Sequence, residues 1–288
     1  MTAMTSLPGC PNTYHARVWT GDYCNSPLKG SGPKHKPDLI LVDRIKRAKT
    51  WNDVNALAEL TTSLSFTQII RKTLVSKSYL IFKAQEDRRY VITVAICGTK
   101  FYLSLFDRAG VCHSQGLDIN DDAEKFLLVL VGLSFTSRTW LGYDPTIISH
   151  LNGAREVLVT KTYKIQRTIF RSDVLRGWAT ICWHGTRSGE DYAIEDTWAD
   201  TSRDLTEKEI LEDLSDIDGV PKVVEEVIVE VDSKEDSTGR RRWAMADTTI
   251  PWNTPGRKKF RKLENRVHRR LVLQPLESPW YASRPREN

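Results

Sequence analysis

The sequence has no apolar run long enough to cross a bilayer. The longest, Phe126 to Phe135, is about ten residues against the ~20 a membrane helix needs. No basic residue followed by an apolar stretch opens the chain between Met1 and Cys10, so no secretory leader is visible. Cysteine is scarce and odd in number: Cys10, Cys24, Cys97, Cys112 and Cys182 lie far apart and form no C-x-x-C pair. A disulfide framework and a cysteine zinc site are therefore not expected, and the default is a reduced, intracellular chain, cytoplasm and nucleus left open. Neither sign of charge dominates. The 42 basic and 37 acidic residues leave a net charge of +5, too mild for a dedicated nucleic-acid coat. No internal repeat is visible.

What is present reads as an α+β chain of roughly two domains. Residues 1–34 are rich in Pro, Gly, Ser and Asn and read as a disordered tail. An upstream α/β unit spans 35–150. It holds a strand at Asp38–Val42, a second strand or strand edge within Trp51–Leu60, and a helix running to about Ala84, with Ser65 and Gln68 placed as a capping box. A hairpin over Arg89–Phe106 turns at Gly98-Thr99, and a third strand follows over Val111–Ile119. A helix over Ala123–Phe135 is apolar nearly all round and is expected to be buried.

The second unit spans 161–276. Strands are expected at Tyr163–Phe170, Trp178–Trp183 and Tyr192–Ile194, then a helix capped by Thr206 and Glu209, then strands at Val223–Val231 and Arg270–Leu273. Between the last two lies a charged insertion at about 232–266, expected to be flexible. Asp204–Asp236 holds 13 acidic and 3 basic residues, and Arg240–Arg270 holds 11 basic and 2 acidic. Residues 277–288 read as a short tail. Asp107 and Asp144 lie in turns, where aspartate bonds its own backbone.

Three strands, a capped helix and two further strands is the order of a protein-kinase N-lobe. A set of short stretches then resembles one group, the fungal-type protein kinases. They are Gln85-Glu86-Asp87-Arg88-Arg89-Tyr90, Phe106-Asp107-Arg108-Ala109-Gly110, Leu141-Gly142-Tyr143-Asp144-Pro145-Thr146, Arg176-Gly177-Trp178-Ala179-Thr180, Ala193-Ile194-Glu195-Asp196-Thr197-Trp198, Gly219-Val220-Pro221 and Arg269-Arg270-Leu271-Val272-Leu273. Each motif is weak alone; their order and spacing together are specific. The resemblance implies a five-stranded antiparallel N-lobe sheet with a helix C, and a nucleotide cleft at Gly177, Ala193, Glu195 and Glu207.

The sequence departs from that pattern at the positions that carry chemistry. Tyr192-Ala193-Ile194-Glu195 stands where kinases have Val-Ala-Ile-Lys, so a carboxylate replaces the cation that meets phosphate, unless Arg176 supplies one from the second strand. Gly177 is alone where a glycine-rich loop would be. No His-Arg-Asp…Asn or Asp-Phe-Gly motif occurs, and His268-Arg269-Arg270 has arginine where the catalytic base would stand. The expectation is a kinase-family chain without the C-lobe and without kinase activity: no catalytic residues, and neither ATP nor magnesium bound. Its role would be binding or regulatory, with a protein partner covering the C-lobe-facing surface near the Thr206 helix and a sheet edge at Leu271.

Two other readings remain open here. One is part of a split active kinase. The other is a nucleic-acid-binding module with a degenerate nuclease-like fold. In the latter, Pro37-Asp38 and Glu59 echo the metal-binding carboxylates of restriction-endonuclease-like enzymes, but Thr61 occupies the lysine position, so no metal site is expected.

Overall fold

A computed structural model describes residues 17–30, 35–44, 50–150, 152–246, 248–253 and 264–276. Two antiparallel-rich sheets account for most of it. The first part of the chain supplies β1 (Arg17–Thr20), β2 (Leu39–Asp43), a 3-10 turn (Trp51–Asp53), β3 (Ala56–Thr61), α1 (Gln68–Ala84), β4 (Tyr90–Cys97), β5 (Lys100–Asp107), β6 (Gly110–His113), β7 (Leu117–Asp118) and α2 (Ala123–Phe135). The second supplies β8 (Ile147–Ser149), β9 (Arg155–Leu158), β10 (Thr162–Arg171), β11 (Ile181–Arg187), β12 (Glu190–Asp200), α3 (Glu207–Asp213), β13 (Lys222–Ile228), β14 (Glu230–Val231), β15 (Lys234–Glu235), α4 (Thr238–Ala246) and β16 (Arg266–Gln274).

The first sheet runs β1-β2-β3-β4-β5-β6, with β7 also on β5. Only β3 and β4 are parallel, because α1 carries the chain from the end of one to the start of the other. Leu74 and Ile81 of α1 pack on one face with Leu57, Val91 and Phe106. Leu133 and Val129 of α2 pack on the other with Ala56, Val94 and Leu103.

The second sheet runs β13-β16-β12-β11-β10-β9-β8 and is antiparallel throughout. Strand alternation gives β12 two distinct faces. Ala193 packs with Cys182, Leu271 and Leu211 of α3. Ile194 packs on the opposite side with Trp183, Tyr163 and Val272.

Several expectations need correction. The stretch expected to be a tail contains β1, paired on β2, and Leu28, which is 3% exposed; a four-residue edge strand among prolines and glycines offers too little periodicity to read. The rest of that tail, residues 1–16 and 31–34, lies outside the described residues, as does 277–288. The Ser65–Gln68 capping box does not form. α1 starts two residues later, with Thr67 as its extended N-cap residue and Ser65 bonded instead to Ser63. The single strand over Val111–Ile119 is two short pieces, β6 and β7. The second sheet begins at Ile147, inside the interval assigned to the upstream unit, and its strands β8 and β9 were not anticipated.

The charged insertion is structured where it is described. β14 and β15 form a small hairpin, α4 follows, and Asp236, Thr238 and Arg242 are all under 5% exposed. Charges of this stretch pair within it, as Arg241 with Asp236, and with distant residues, as Arg242 with Asp107 and Asp236 with Arg89, which a count of charge by block does not reveal. Leu271 is not at a sheet edge: β16 lies between β12 and β13, and Leu271 is buried. Finally, α2 has the expected bounds but not the expected burial. Only Leu133 and Ser134 are buried, and its outer face is open.

Candidate functional site

On β12, Ala193 and Glu195 share the face that α3 covers, two residues apart on a strand. α3 is short, and its start is fixed by the anticipated box: Thr206 Oγ1 accepts from the Glu209 amide at 3.2 Å, and the Glu209 carboxylate accepts from the Thr206 amide at 2.6 Å. Glu207 therefore begins the helix beside Glu195, and both line one cavity of about 180 Å³ with Trp178, Thr197, Arg203 and Arg269. Glu195 is 2% exposed. Four carboxylates line this cavity (Glu195, Asp200, Glu207 and Glu226) against two guanidinium groups, and no lysine among the described residues. Arg269 is taken by Glu226 at 2.9 Å, and Arg203 lies over the Trp178 ring at 4.4 Å.

The remaining cleft positions disperse. Gly177 has φ +125°, as a turn glycine does, and its amide donates to the Arg108 carbonyl at 2.9 Å. It does not line the cavity. Arg176 pairs with Glu264, so it does not replace the missing cation. The residues do not fit a magnesium nucleotide. Small-molecule sites run to ~300–1,000 Å³, and this cavity is smaller and is lined by the wrong sign of charge.

The nuclease-like positions do come together. Asp38 Oδ2 accepts from the Leu60 amide at 2.8 Å, and the Asp38 amide lies 3.4 Å from Glu59 Oε1. Sequence reasoning looked for the lysine at position 61. Thr61 instead accepts from the Ser63 amide at 3.2 Å, and the cation arrives from α1 as Lys77, 2.5 Å from Glu59 Oε1. Lys77 and Glu59 are both 4% exposed, and Lys77 also donates to the Lys36 carbonyl at 2.6 Å. Burial raises the Glu59 carboxyl's pKa despite the lysine. Glu59 and Lys77 thus form a closed, buried ion pair.

The largest concentration of ionisable groups is one that sequence reasoning missed. Where the two sheets meet, the family-resembling stretches converge on a buried charge junction. Arg270 is fully buried; its Nε donates to Asp196 at 2.8 Å and its Nη2 to Asp144 at 2.8 Å. His268 bridges Asp196 at 2.9 Å and Asp236 at 3.1 Å. Asp236 also receives Arg89 at 3.1 Å and Arg241 at 2.5 Å, and Asp107 receives Arg242 at 3.1 Å. Glu86 takes Arg155, Thr168 and the Trp183 indole from the second sheet. Asp107 and Asp144 do bond their own turns, at Ala109 and Thr146, but each also holds an arginine from far along the chain.

The pKa shifts follow from this packing. Burial alone would depress the His268 imidazolium, but the carboxylates of Asp196 and Asp236 outweigh it and push its pKa up to about 9. Burial would raise Asp196 and Asp236, but the adjacent cations, Arg270 for the first and Arg241 for the second, hold both below the usual carboxylate range. Asp144, Asp196 and His268 each present a ligand atom within 4.8 Å of one another. Arg270 donates to both acids and so cross-links them. A wider cleft of about 960 Å³ borders the junction, lined among others by Arg17, Asp43, Glu86, Asp144 and Arg155, whose charges are already paired at the junction or with one another.

No helix among the described residues is long and apolar enough to cross a membrane. Comparison with curated proteins and with solved structures gave no match. Comparison with family models did: the model described as fungal protein kinase matches residues 36–287, a span that takes in all of the second sheet, the first sheet apart from β1, the cavity under α3 and the charge junction. The chain belongs to the fungal protein kinase family.

Proposed function

We propose that this chain is a kinase-family domain that does not bind ATP and acts by binding other molecules. The strand order supports an N-lobe reading of the second unit: a meander β10-β11-β12, a capped helix α3, then β13 and β16, with the last strand returning beside β12. The single observation that carries the functional reading is Glu195. It is buried on the strand and face where a kinase needs the lysine that meets nucleotide phosphates, and it shares its cavity with Glu207. A carboxylate there reverses the sign of the interaction instead of only removing it. The 288 residues also contain no His-Arg-Asp…Asn or Asp-Phe-Gly motif to supply a base and hold magnesium.

Thermal unfolding with and without Mg·ATP, on the natural chain and on Glu195→Lys, tests this. A ligand at ~100 times its dissociation constant stabilises by about 2.7 kcal/mol, a shift easily seen. The natural chain should show none. A clear shift of the natural chain, or transfer of labelled phosphate by it with contaminating enzymes excluded, would overturn the reading.

A further inference from the structure

The cleft of about 960 Å³ beside the charge junction has two opposite charges in its wall that no ion pair takes up. Its other charges are committed. Arg17 pairs with Asp43, Arg155 with Glu86 and Asp144 with Arg270; Asp53 accepts from the Thr50 amide, and His150 stands 3.4 Å from Glu156. Asp87 and Arg138 remain. The Asp87 main-chain oxygen accepts from the Asp144 amide at 2.8 Å, but among the described residues no donor beyond its own amide reaches its carboxylate. Burial pushes that carboxyl's pKa up, against the pull of Arg138, Arg88 and Arg155. Of these three cations, Arg88 is engaged by the Leu141 and Asn55 carbonyls, and Arg155 by Glu86. Arg138 is exposed, its guanidinium 3.7 Å from the centre of the Tyr143 ring, and no carboxylate among the described residues lies within ion-pair distance of it.

Asp87 and Arg138 thus attract across the cleft without meeting. A simple anion at Arg138 would face the Asp87 carboxylate, and a simple cation at Asp87 would face the Arg138 guanidinium. A ligand that carries both signs meets neither repulsion: its carboxylate takes the guanidinium fork and its ammonium takes the carboxylate. The rest of the wall narrows the class. Pro145 and Ile148 are exposed, Ile148 by 46%, and offer apolar surface beside the charges. The volume lies at the upper end of the ~300–1,000 Å³ range of small-ligand sites, more room than a free amino acid fills. We infer that this cleft binds a short apolar peptide with free ends, its ammonium on Asp87, its carboxylate on Arg138 and its side chains against Pro145 and Ile148. The cleft shares no lining residue with the cavity under α3, so the inference stands apart from the reading of Glu195.

Isothermal titration of the full chain with trileucine tests this. Trileucine should bind, and its N-acetylated and C-amidated forms should each bind about tenfold or more weakly, the loss expected from one charge-assisted contact. The variants should follow the same pairing. Asp87→Asn should weaken trileucine binding and make acetylation indifferent, and Arg138→Gln should do the same for amidation. A merely structural role for either side chain would not produce that matched indifference. The capped peptides on the natural chain still decide the matter if a variant does not fold. No binding at ~1 mM trileucine, equal affinity for a capped and an uncapped end, a capping effect that persists in the matching variant, or free leucine binding as tightly as trileucine would each overturn the inference.

Discussion

Replacing Arg270 with methionine removes a buried cation that holds Asp196 of its own sheet and Asp144 of the segment leading into β8 at once. In the folded chain Arg270 is fully buried and donates to Asp196 and Asp144 at 2.8 Å each, to Thr146 Oγ1 at 2.8 Å and to the Leu158 carbonyl at 3.0 Å. Methionine fills much of the volume, so the loss is electrostatic more than steric. Asp144 and Asp196, at 3% and 6% exposed, would be left in the interior without the cation between them. Breaking a buried pair by removing one partner costs about 3–5 kcal/mol, a large share of the ~5–15 kcal/mol that holds a typical domain folded. For a protein of this size that corresponds to a fall in Tm of roughly 10 °C. Urea unfolding of the natural chain, Arg270→Met, Asp144→Asn and the double variant measures it. The double variant should recover part of the loss, with a coupling above ~1 kcal/mol. A loss under ~1 kcal/mol, or strictly additive single effects, would refute the claim that Arg270 and Asp144 form a coupled buried pair.

Two further outcomes follow from the same geometry. Stability should peak near pH 6.5 and fall on both sides. His268, raised to about 9, contributes stability that is complete below ~6.5 and lost as pH rises through 9. His113, lowered to about 4 by burial and by Arg71, contributes stability present above ~6.5 and lost as pH falls toward 4. Melting curves across pH should show His268→Gln flattening the alkaline limb and His113→Gln the acid one; a profile flat from 5 to 9 would contradict both assignments. At Gly142, φ is +99° and an added Cβ would lie 2.1 Å from the Tyr90 carbonyl oxygen, whereas Gly153 has φ +85° and open space. Gly153→Ala should cost ~1–2 kcal/mol of backbone strain and Gly142→Ala clearly more, as read by chemical denaturation; equal losses would mean that the close approach of the backbones is not tight.

Much of the fold was legible because it rests on local signals. The hairpin at Gly98-Thr99, the bounds of α2, and the Thr206–Glu209 box each depend on residues a few positions apart, and each formed as read. The Ser65–Gln68 pattern had the same chemistry and failed, because Thr67 took the extended N-cap geometry instead. Strand alternation put Ala193 and Glu195 on one face of β12, and α3 packs on that face, but nothing local showed that Gly177 and Arg176 would turn elsewhere. The charge junction was illegible for a different reason. Arg270 and Asp144 are 126 positions apart, and Arg89 and Asp236 are 147. Each looks like an ordinary surface residue until the sheets meet. The motifs that resembled the family were mostly these junction residues, read as a signature before they could be read as a structure. Lys77 was missed for the same reason, since a helix and not the neighbouring strand position brought it to Glu59.

The position of β16 has a consequence for how the chain is made. Of the strands in this sheet, β16 leaves the ribosome last, and it is an inner strand flanked on one side by β12 and on the other by β13. Until residues 266–274 emerge, both neighbours present open edges, and Asp196 and Asp236 await the arginine and histidine that neutralise them. The nascent second unit therefore waits, half-built and prone to pair with the wrong edge, for residues 266–274 to slot in.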